Sequence, residues 1–328
     1  MVDFNNLTAG SIHQLLTVSG AEKERLFECA RETRYQYFGD NLQLRAVIEI
    51  SNYCDCNCCY CGMRKDNREL SRNRLFFEDT KSVIQEIYDL GIRKIILQSG
   101  QDAAYPLDEL CKIISYARRV GIENVIICFG IMTAEDYQEL LKAGATGYIL
   151  KFETSNSLQY KMIKPKDTLE ERLENIRLLK QLGYAVGSGN ICGLPKQTNK
   201  DLAGDIMLLK DLKVDMASVA PFISNKQSPY KDFPNGDVDI TLNIIAIMRI
   251  VLKDVLIPSI SAMETAQRGA QLEGYRAGAN VITINMTPQH IREKYLIYDG
   301  KRKITSLEFA RNIANTLGLK LNIQNKVS

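Results

Sequence analysis

Apolar residues recur at helical spacing near both ends of the chain. Residues 8–38 carry two helical patterns, and in the second Leu26, Ala30 and Tyr37 share one apolar face before a glycine ends the pattern. We interpret residues 1–42 as a helical leader to the main domain.

Toward the other end, residues 306–317 predict a helix that Gly318 stops, and a polar tail, residues 322–328, follows it. We therefore expect one main domain, residues 43–328, that includes a C-terminal helix. The length of 328 residues suits one barrel of roughly 250 residues with extensions.

Between the two ends, short runs of β-branched residues alternate with amphipathic helical patterns such as residues 80–90 and 201–212. Eight runs are candidate strands: residues 47–50, 94–98, 124–128, 147–151, 186–191, 216–219, 256–260 and 280–285. This alternation predicts an α/β fold, a complete (βα)8 TIM barrel, with an open doubly wound sheet as the alternative. In both folds, the chemistry belongs at the carboxyl ends of the strands.

The composition is that of a globular chain. Hydrophobic residues make up 45% and charged residues 25%, which permits a packed core and excludes a disordered chain. The net charge of +3 is small and no Lys/Arg run resembles a nucleic-acid-binding arm, so we expect no nucleic-acid partner. Neither a signal-peptide pattern nor an uninterrupted run of about 18 apolar residues occurs, so we predict a cytoplasmic protein with no membrane contact.

Five of the nine cysteines fall within residues 54–61, too close together to join separate parts of a fold. The segment reads SNYCDCNCCYCGM from residue 51 and follows the first predicted strand. Cys54, Cys58 and Cys61 form a CxxxCxxC spacing, whereas a 4Fe–4S cluster held entirely by protein needs four ligands. Three thiolates leave one iron open, which can chelate S-adenosylmethionine (SAM) and pass it one electron.

Two other interpretations of the cysteine loop stay open at this point. A structural zinc site needs a fourth ligand, and the only histidines, His13 and His290, are far away in sequence. Cys56 and Cys59 nevertheless form a CxxC pair that zinc could use, and their role is not determined by the pattern. The cysteines could also be inert and buried.

Two further segments suggest binding. Residues 189–197 read GNICGLPKQ, and glycines such as Gly193 would let the backbone approach a flat ligand such as adenine, although a simple strand-to-helix turn explains the same letters. Residues 63–75 carry five Lys and Arg residues against two acidic ones, which suits an acidic electron donor, an anionic substrate or a solvated loop.

Together these motifs resemble the biotin synthase-like clade of radical SAM proteins, most of all its FeFe-hydrogenase maturation members. The resemblance runs from about residue 20 to residue 300. Its segments are IEISNYCDCNCCYCGMRKDNREL, ILQSGQD, ETSN, ERLENI, GLPKQT, DMASVAPFI, IPSISAMETA and GANVITINMTP.

The resemblance implies a complete (βα)8 barrel with the cluster on Cys54, Cys58 and Cys61. It also implies SAM contacts from Tyr60, Ser99, Glu153 and Arg172, although Glu153 and Arg172 taken alone look like ordinary surface charges. A 5′-deoxyadenosyl radical would act on a small molecule inside the barrel, which in the maturation members is a cysteine-bound iron carbonyl cyanide species. The implied electron donor is flavodoxin or ferredoxin, and other hydrogenase maturation proteins are implied partners.

The candidate substrate pocket departs from the family pattern. Its candidate residues are Lys151, Met216, Ser261, Thr283 and Tyr298. Met216 and Tyr298 fit the family pattern. The other positions differ from it: Lys151 stands where the family has an arginine, Thr283 where it has a methionine, Gln101 where it has a glutamate, and Ile260 and Ser261 where it has two threonines. Lysine keeps the charge but loses the bidentate fork, so an anion would bind differently. A mutase resembling methylornithine synthase, thiol chemistry like that of biotin synthase, and a zinc-stabilised binding protein are the alternative functions.

Overall fold

The protein is described by a computed structural model that covers residues 3–4, 6–298 and 302–324. Residues 325–328 of the predicted polar tail lie outside this range. Every helix in the described range is too short or too polar to span a bilayer.

Seven strands form one parallel sheet in the order β6-β5-β4-β3-β2-β1-β7. They are β1 (Asn41–Ser51), β2 (Lys94–Ser99), β3 (Asn124–Cys128), β4 (Gly147–Ile149), β5 (Ala185–Cys192), β6 (Met216–Pro221) and β7 (Val281–Asn285). Each overlaps a run that the sequence predicts, although β1 begins six residues before its predicted run, because strands buried on both faces read as apolar, β-branched runs. A parallel α/β fold is therefore confirmed.

The remaining predicted strand, residues 256–260, is not a strand of this sheet. Leu256 forms a single parallel bridge to Met216 of β6, and Pro258 forms one to Val281 of β7. Proline has no N–H to extend a ladder, which limits the pairing on this segment. The described sheet is thus a seven-stranded partial barrel, and the prediction of a complete eight-stranded barrel is correct only in part.

Helices connect the strands and cover the outer face of the sheet. In chain order they are α1 (Ala9–Leu15), α2 (Gly20–Phe38), α3 (Phe77–Asp89), α4 (Leu107–Val120), α5 (Ala134–Ala143), α6 (Ser157–Ile163), α7 (Leu169–Gln181), α8 (Asn199–Asp211), α9 (Val238–Leu252), α10 (Ser261–Ala266), α11 (Ala270–Arg276), α12 (Gln289–Arg292) and α13 (Leu307–Leu317). Thr133, Thr168 and Thr198 cap α5, α7 and α8 through hydrogen bonds to the third helical N–H. These caps fix where each of the three helices begins.

The two N-terminal helices pack onto the main core. Leu26 and Ala30 of α2 are buried as the helical pattern predicts, and Gly39 ends the helix with a positive φ of 57°. Tyr37 is 42% exposed, so its assignment to the buried face was wrong; Phe27, which the pattern did not single out, is 4% exposed. The assignment of residues 1–42 as a leader distinct from the main domain stays a prediction.

The C-terminal helix α13 ends at Gly318 as predicted, and a strand that the sequence did not predict follows it. This strand, β8 (Lys320–Asn322), pairs in parallel with the first three residues of β1. It lies at the amino end of β1, opposite the cysteine loop.

Side chains on the inner face of the sheet form a second apolar cluster. Val47, Ile96, Ile126 and Met216 belong to it, and they are separate from the larger core between sheet and helices. The candidate site lies beyond this cluster, at the carboxyl ends of the strands.

Candidate active site at the carboxyl ends of the strands

The cysteine loop follows β1 and is fastened to the loop that follows β2. A Cβ atom on Gly100 would lie 2.2 Å from the carbonyl oxygen of Tyr53, so only glycine permits this approach. The amide of Asp55 donates to the carbonyl of Gln101 at 2.8 Å, and its carboxylate accepts from the amide of Ala103 at 3.0 Å. Backbone contacts therefore set the position of the thiols relative to β2.

A buried carboxylate, Asp102, reinforces this junction. Arg74 donates to both of its oxygens at 2.7 Å, and the hydroxyl of Ser51 donates at 2.6 Å. The guanidinium of Arg74 also stacks on the ring of Tyr53, 3.9 Å from its centroid. Sequence reasoning missed this pair, although Asp102 closes the ILQSGQD segment.

The cysteine loop brings several sulfur atoms together. Hydrogen bonds from the Cys56 thiol lower the pKa of Cys54 to about 7 and that of Cys58 to about 6, while the pKa of Cys56 itself is raised. Burial raises the pKa of Cys61, and the nearby Cys58 and Cys54 sulfurs raise it further. The loop therefore groups the three predicted ligands, with Cys56 as a fourth neighbour.

Cys59 and Lys164 complete the surroundings of the loop. The Cys59 thiol donates to the carbonyl of Met162 at 3.2 Å, so it is engaged with α6 and does not pair with Cys56 as zinc would require. Lys164 is buried, and its Nζ lies 3.6 Å from the Sγ of Cys58. This ammonium was not predicted, and it places a positive charge beside a predicted ligand.

Glu153 lies where β4 ends, in an unusual backbone conformation. Its φ is 66°, a left-handed value that costs a non-glycine residue on the order of 1–3 kcal/mol and tends to occur at functional sites. Two backbone hydrogen bonds of 2.9 Å to Gly189 and Ile191 of β5 hold it there. Lys151 Nζ is 3.1 Å from its Oε2, an atom that is buried and lacks a hydrogen bond of good geometry.

Arg172 of α7 is a buried residue and not a surface charge. Its Nε and Nη2 both donate to Asp167, at 3.1 and 2.6 Å, and Nε also donates to the hydroxyl of Tyr160 at 2.7 Å. Its side chain is 4% exposed. The guanidinium is thus held in one orientation.

A second buried carboxylate, Asp205 of α8, supports the strand ends beside Glu153. It accepts from the amide of Ser155 at 2.6 Å and from Asn190 Nδ2 at 2.8 Å, and burial raises its pKa to about 6. The Oδ1 of Asn190 is buried without a partner. The loop after β4 and the end of β5 are therefore held together by one carboxylate.

The remaining predicted cofactor residues lie on neighbouring strand ends. Tyr60 packs against an apolar cluster that includes Ile163, and burial holds its pKa well above the usual value. Ser99 ends β2 and is buried. A Cβ on Gly193 would lie 2.3 Å from the Cα of Gly236, so contact with another loop already requires this glycine.

Two of the five substrate-pocket candidates meet at an unpredicted residue, Arg45. Its Nε donates to Thr283 Oγ1 at 2.8 Å, and its Nη1 lies 3.5 Å from the sulfur of Met216. Arg45 is on the inner face of β1, and burial lowers its pKa to about 10. The interior of the sheet therefore holds two positively charged side chains: Arg45, and Lys151 nearer the carboxyl ends of the strands.

The other pocket candidates, Ser261 and Tyr298, lie elsewhere on the rim. Ser261 is the first residue of α10, and Tyr298 follows α12 near Arg302. Among the described residues, no hydrogen bond joins either of them to Arg45. Arg302 instead donates to Glu49 on the inner face of β1, whose Oε2 is buried and unpartnered.

The residues present fit an iron–sulfur cluster held by three protein thiolates. Among the residues with described positions, no three Cys, His, Asp or Glu side chains converge as ligands of one ion would. A cubane spreads its protein ligands over different irons, and two of the thiols here have a lowered pKa that favours the thiolate ligand. The buried Oδ1 of Asn190 lacks a hydrogen bond, and the buried Oε2 of Glu153 is paired with Lys151 Nζ at 3.1 Å; both oxygens can accept hydrogen bonds from a cofactor.

Comparisons with known proteins identify the family of this chain. The radical SAM superfamily model matches residues 48–209. The [FeFe] hydrogenase maturase subunit HydE of Thermotoga maritima is 38% identical over 278 residues, which cover 85% of this chain and 80% of HydE. The 3-methylornithine synthase of Methanosarcina barkeri is 29% identical over 311 residues, covering 91% and 85%.

The fold is similar to that of a solved relative. The crystal structure of methylornithine synthase (PylB) superposes with a TM-score of 0.85 at 22% identity, covering 96% of this chain and 94% of the other. Members of the family use a 4Fe–4S cluster and SAM, and this chain is an enzyme of that kind. The chain thus belongs to the radical SAM superfamily.

Proposed function

We propose that this enzyme acts in the maturation of an FeFe-hydrogenase, by directing the radical from SAM at a small molecule inside the sheet. The observation that carries the proposal is the 38% identity to HydE across 85% of the chain. When bound, the cluster and SAM supply a 5′-deoxyadenosyl radical. The protein contributes position, charge and exclusion of water.

The proposed cluster ligands are Cys54, Cys58 and Cys61. Cys58 combines a lowered pKa with the ammonium of Lys164, and the Cys58 and Cys54 sulfurs are near enough to Cys61 to raise its pKa. Cys56 and Cys59 are not ligands in this proposal. The single bridges of residues 256–258 to both edge strands support closure of the sheet into a complete barrel around the site.

SAM is proposed to bind beside the open iron, with contacts from Tyr60, Ser99, Glu153, Arg172 and Gly193. Arg172 suits the SAM carboxylate because its guanidinium is fixed by Asp167, and the Glu153 carboxylate suits ribose hydroxyls. Substrate is proposed to lie deeper, near Lys151, Met216 and Thr283, with Ser261 and Tyr298 on the rim. The proposed electron donor is flavodoxin or ferredoxin.

The test of the cluster assignment compares five cysteine variants after anaerobic reconstitution. We expect Cys54→Ala, Cys58→Ala and Cys61→Ala to lose 5′-deoxyadenosine formation with dithionite, while Cys56→Ala and Cys59→Ala retain it. Formation of 5′-deoxyadenosine by Cys58→Ala would contradict the assignment.

The test of the biological role is a hydrogenase maturation system that lacks HydE. Adding this protein should restore hydrogenase activity, and adding Cys58→Ala should not. A mutase of the methylornithine synthase type is the second candidate, favoured by the 29% identity to that enzyme and by the altered pocket at Lys151 and Thr283. Such a mutase would leave the maturation system inactive and would regenerate SAM instead of consuming it.

A further inference from the structure

Two segments meet over the cysteine loop at Cys59. The amide of Cys59 donates to the carbonyl of Ile163 at 2.9 Å, and its thiol donates to the carbonyl of Met162 at 3.2 Å. The amide of Tyr230 in turn donates to the carbonyl of Cys59 at 3.1 Å. Both α6 and the loop 224–236 are therefore hydrogen-bonded to the residue that directly follows Cys58, and the surface they form lies beside this proposed ligand.

This surface has an apolar centre. Leu158 is 76% exposed, Met162 47% and Phe233 43%, and they are three of the seven large hydrophobic side chains exposed among the described residues. Phe233 packs edge-on against Tyr230 at 5.2 Å between ring centroids. A group of exposed apolar side chains on one surface is typical of a protein interaction site.

Basic residues surround the apolar centre. Residues 157–166 contain no acidic residue and two exposed lysines, with a third, Lys164, buried below the surface, and residues 224–231 contain two lysines and no acidic residue. Lys161, Lys166 and Lys231 are exposed, with Asp232 as an acidic neighbour. Since the whole chain carries a net charge of only +3, this is a local concentration of positive charge. Its complement is a negatively charged partner surface.

We propose that this surface, defined by Leu158, Lys161, Met162, Lys166, Lys231 and Phe233, docks an acidic one-electron carrier protein. The proposal rests on the proposed function, in which Cys58 is a cluster ligand. Because the surface lies beside Cys58, an electron from the docked carrier would have a short path to the cluster. The carrier is oxidised by one electron and the cluster is reduced by one, and no proton or group moves. Charge steers the encounter, while the apolar centre provides contact area.

The experiment uses two reductants on the reconstituted enzyme. One is flavodoxin, reduced by NADPH and flavodoxin reductase, and the other is dithionite, which needs no docking surface. For the variant Lys161→Glu/Lys166→Glu/Lys231→Glu we expect 5′-deoxyadenosine formation with flavodoxin to fall at least tenfold, while the rate with dithionite is unchanged. Raising the salt concentration should slow the wild type with flavodoxin, because the attraction is screened.

A matched variant controls for net charge. Lys142 and Lys210 end α5 and α8, and Lys320 lies in β8 beside the start of β1, so all three are at the opposite end of the sheet. Lys142→Glu/Lys210→Glu/Lys320→Glu should keep the flavodoxin-dependent rate. An equal loss in both triple variants, an equal loss with both reductants, or no loss would each overturn the docking proposal. Inactivity of the wild type with dithionite would instead overturn the proposed function.

Discussion

The Nζ of Lys164 lies 3.6 Å from the Sγ of Cys58, and both residues are buried. If Cys58 binds the cluster, this ammonium is a fixed positive charge and hydrogen-bond donor beside a ligand sulfur. Such neighbours help to set the reduction potential of an iron–sulfur cluster. We therefore expect Lys164 to act through Cys58 and to stabilise the reduced state of the cluster.

The first prediction removes that charge. We expect Lys164→Met to lower the midpoint potential of the cluster, since reduction adds negative charge that the ammonium no longer offsets. A tenfold effect on the one-electron equilibrium corresponds to about 59 mV. A redox titration followed by EPR measures the change, and iron per chain reports cluster loading. Lys164→Arg keeps the charge and should stay closer to the wild type; identical potentials for all three proteins would contradict the proposed effect.

The second prediction concerns the orientation of Arg172. Asp167 accepts from two of its nitrogens, so Asp167→Asn removes the charge that holds the guanidinium. We expect the Kd for SAM to rise about tenfold, or about 1.4 kcal/mol, with iron content unchanged. Equilibrium dialysis of the reconstituted enzyme measures this.

The control for this substitution is Glu139→Gln. Glu139 forms an exposed ion pair with Lys142 on α5, and exposed pairs contribute little. Loss of iron from Asp167→Asn would show that the carboxylate supports the cluster loop instead of the SAM site.

The third prediction concerns the junction behind the cysteine loop. Asp102→Ala leaves Arg74 without its carboxylate and Ser51 without its acceptor. Because Arg74 is 22% exposed, water replaces part of the loss, and we expect the free energy of unfolding to fall by about 2 kcal/mol. Anaerobic urea unfolding measures it. Glu78→Ala, which breaks the exposed pair with Lys81, should change it by less than about 0.5 kcal/mol.

The strands and the cysteine loop could be predicted from the sequence because both are local patterns. Residues 124–128 form β3 as predicted, whereas the assignment of Cys54, Cys58 and Cys61 as ligands of one cluster stays a prediction. Tyr37 was misplaced because it lies in the last turn of α2: helical periodicity identifies the side of a helix that faces the core, and not how far along the helix the core extends.

The supporting residues could not be predicted because they act across long stretches of chain. Cys58 and Lys164 are separated by 106 residues, and Asn190 and Asp205 belong to different elements. A charged residue in a sequence is usually exposed, so nothing local distinguishes Lys164 from the lysines beside it. Their burial follows from the packing of α6 and α8 against the strand ends.

The last prediction uses Asp205, which is fully buried and has a pKa of about 6 because burial disfavours its charged form. An ordinary aspartate in the unfolded chain titrates near pH 3.9. Between about pH 4 and pH 6 the folded protein therefore holds a proton that the unfolded chain has lost, so stability falls as pH rises through this window. The difference between the two pKa values corresponds to an upper limit of about 3 kcal/mol.

Asp205→Asn removes this titration. The partly satisfied Asn190 can turn its free Oδ1 toward the new amide, so we expect the variant to fold. Urea unfolding of both proteins from pH 4.5 to 7 should show the wild type losing stability relative to the variant up to about pH 6, with a constant difference above it. Parallel stability curves across that range would mean that Asp205 is already ionised in the folded protein at pH 4.5, and that its two hydrogen bonds outweigh its burial.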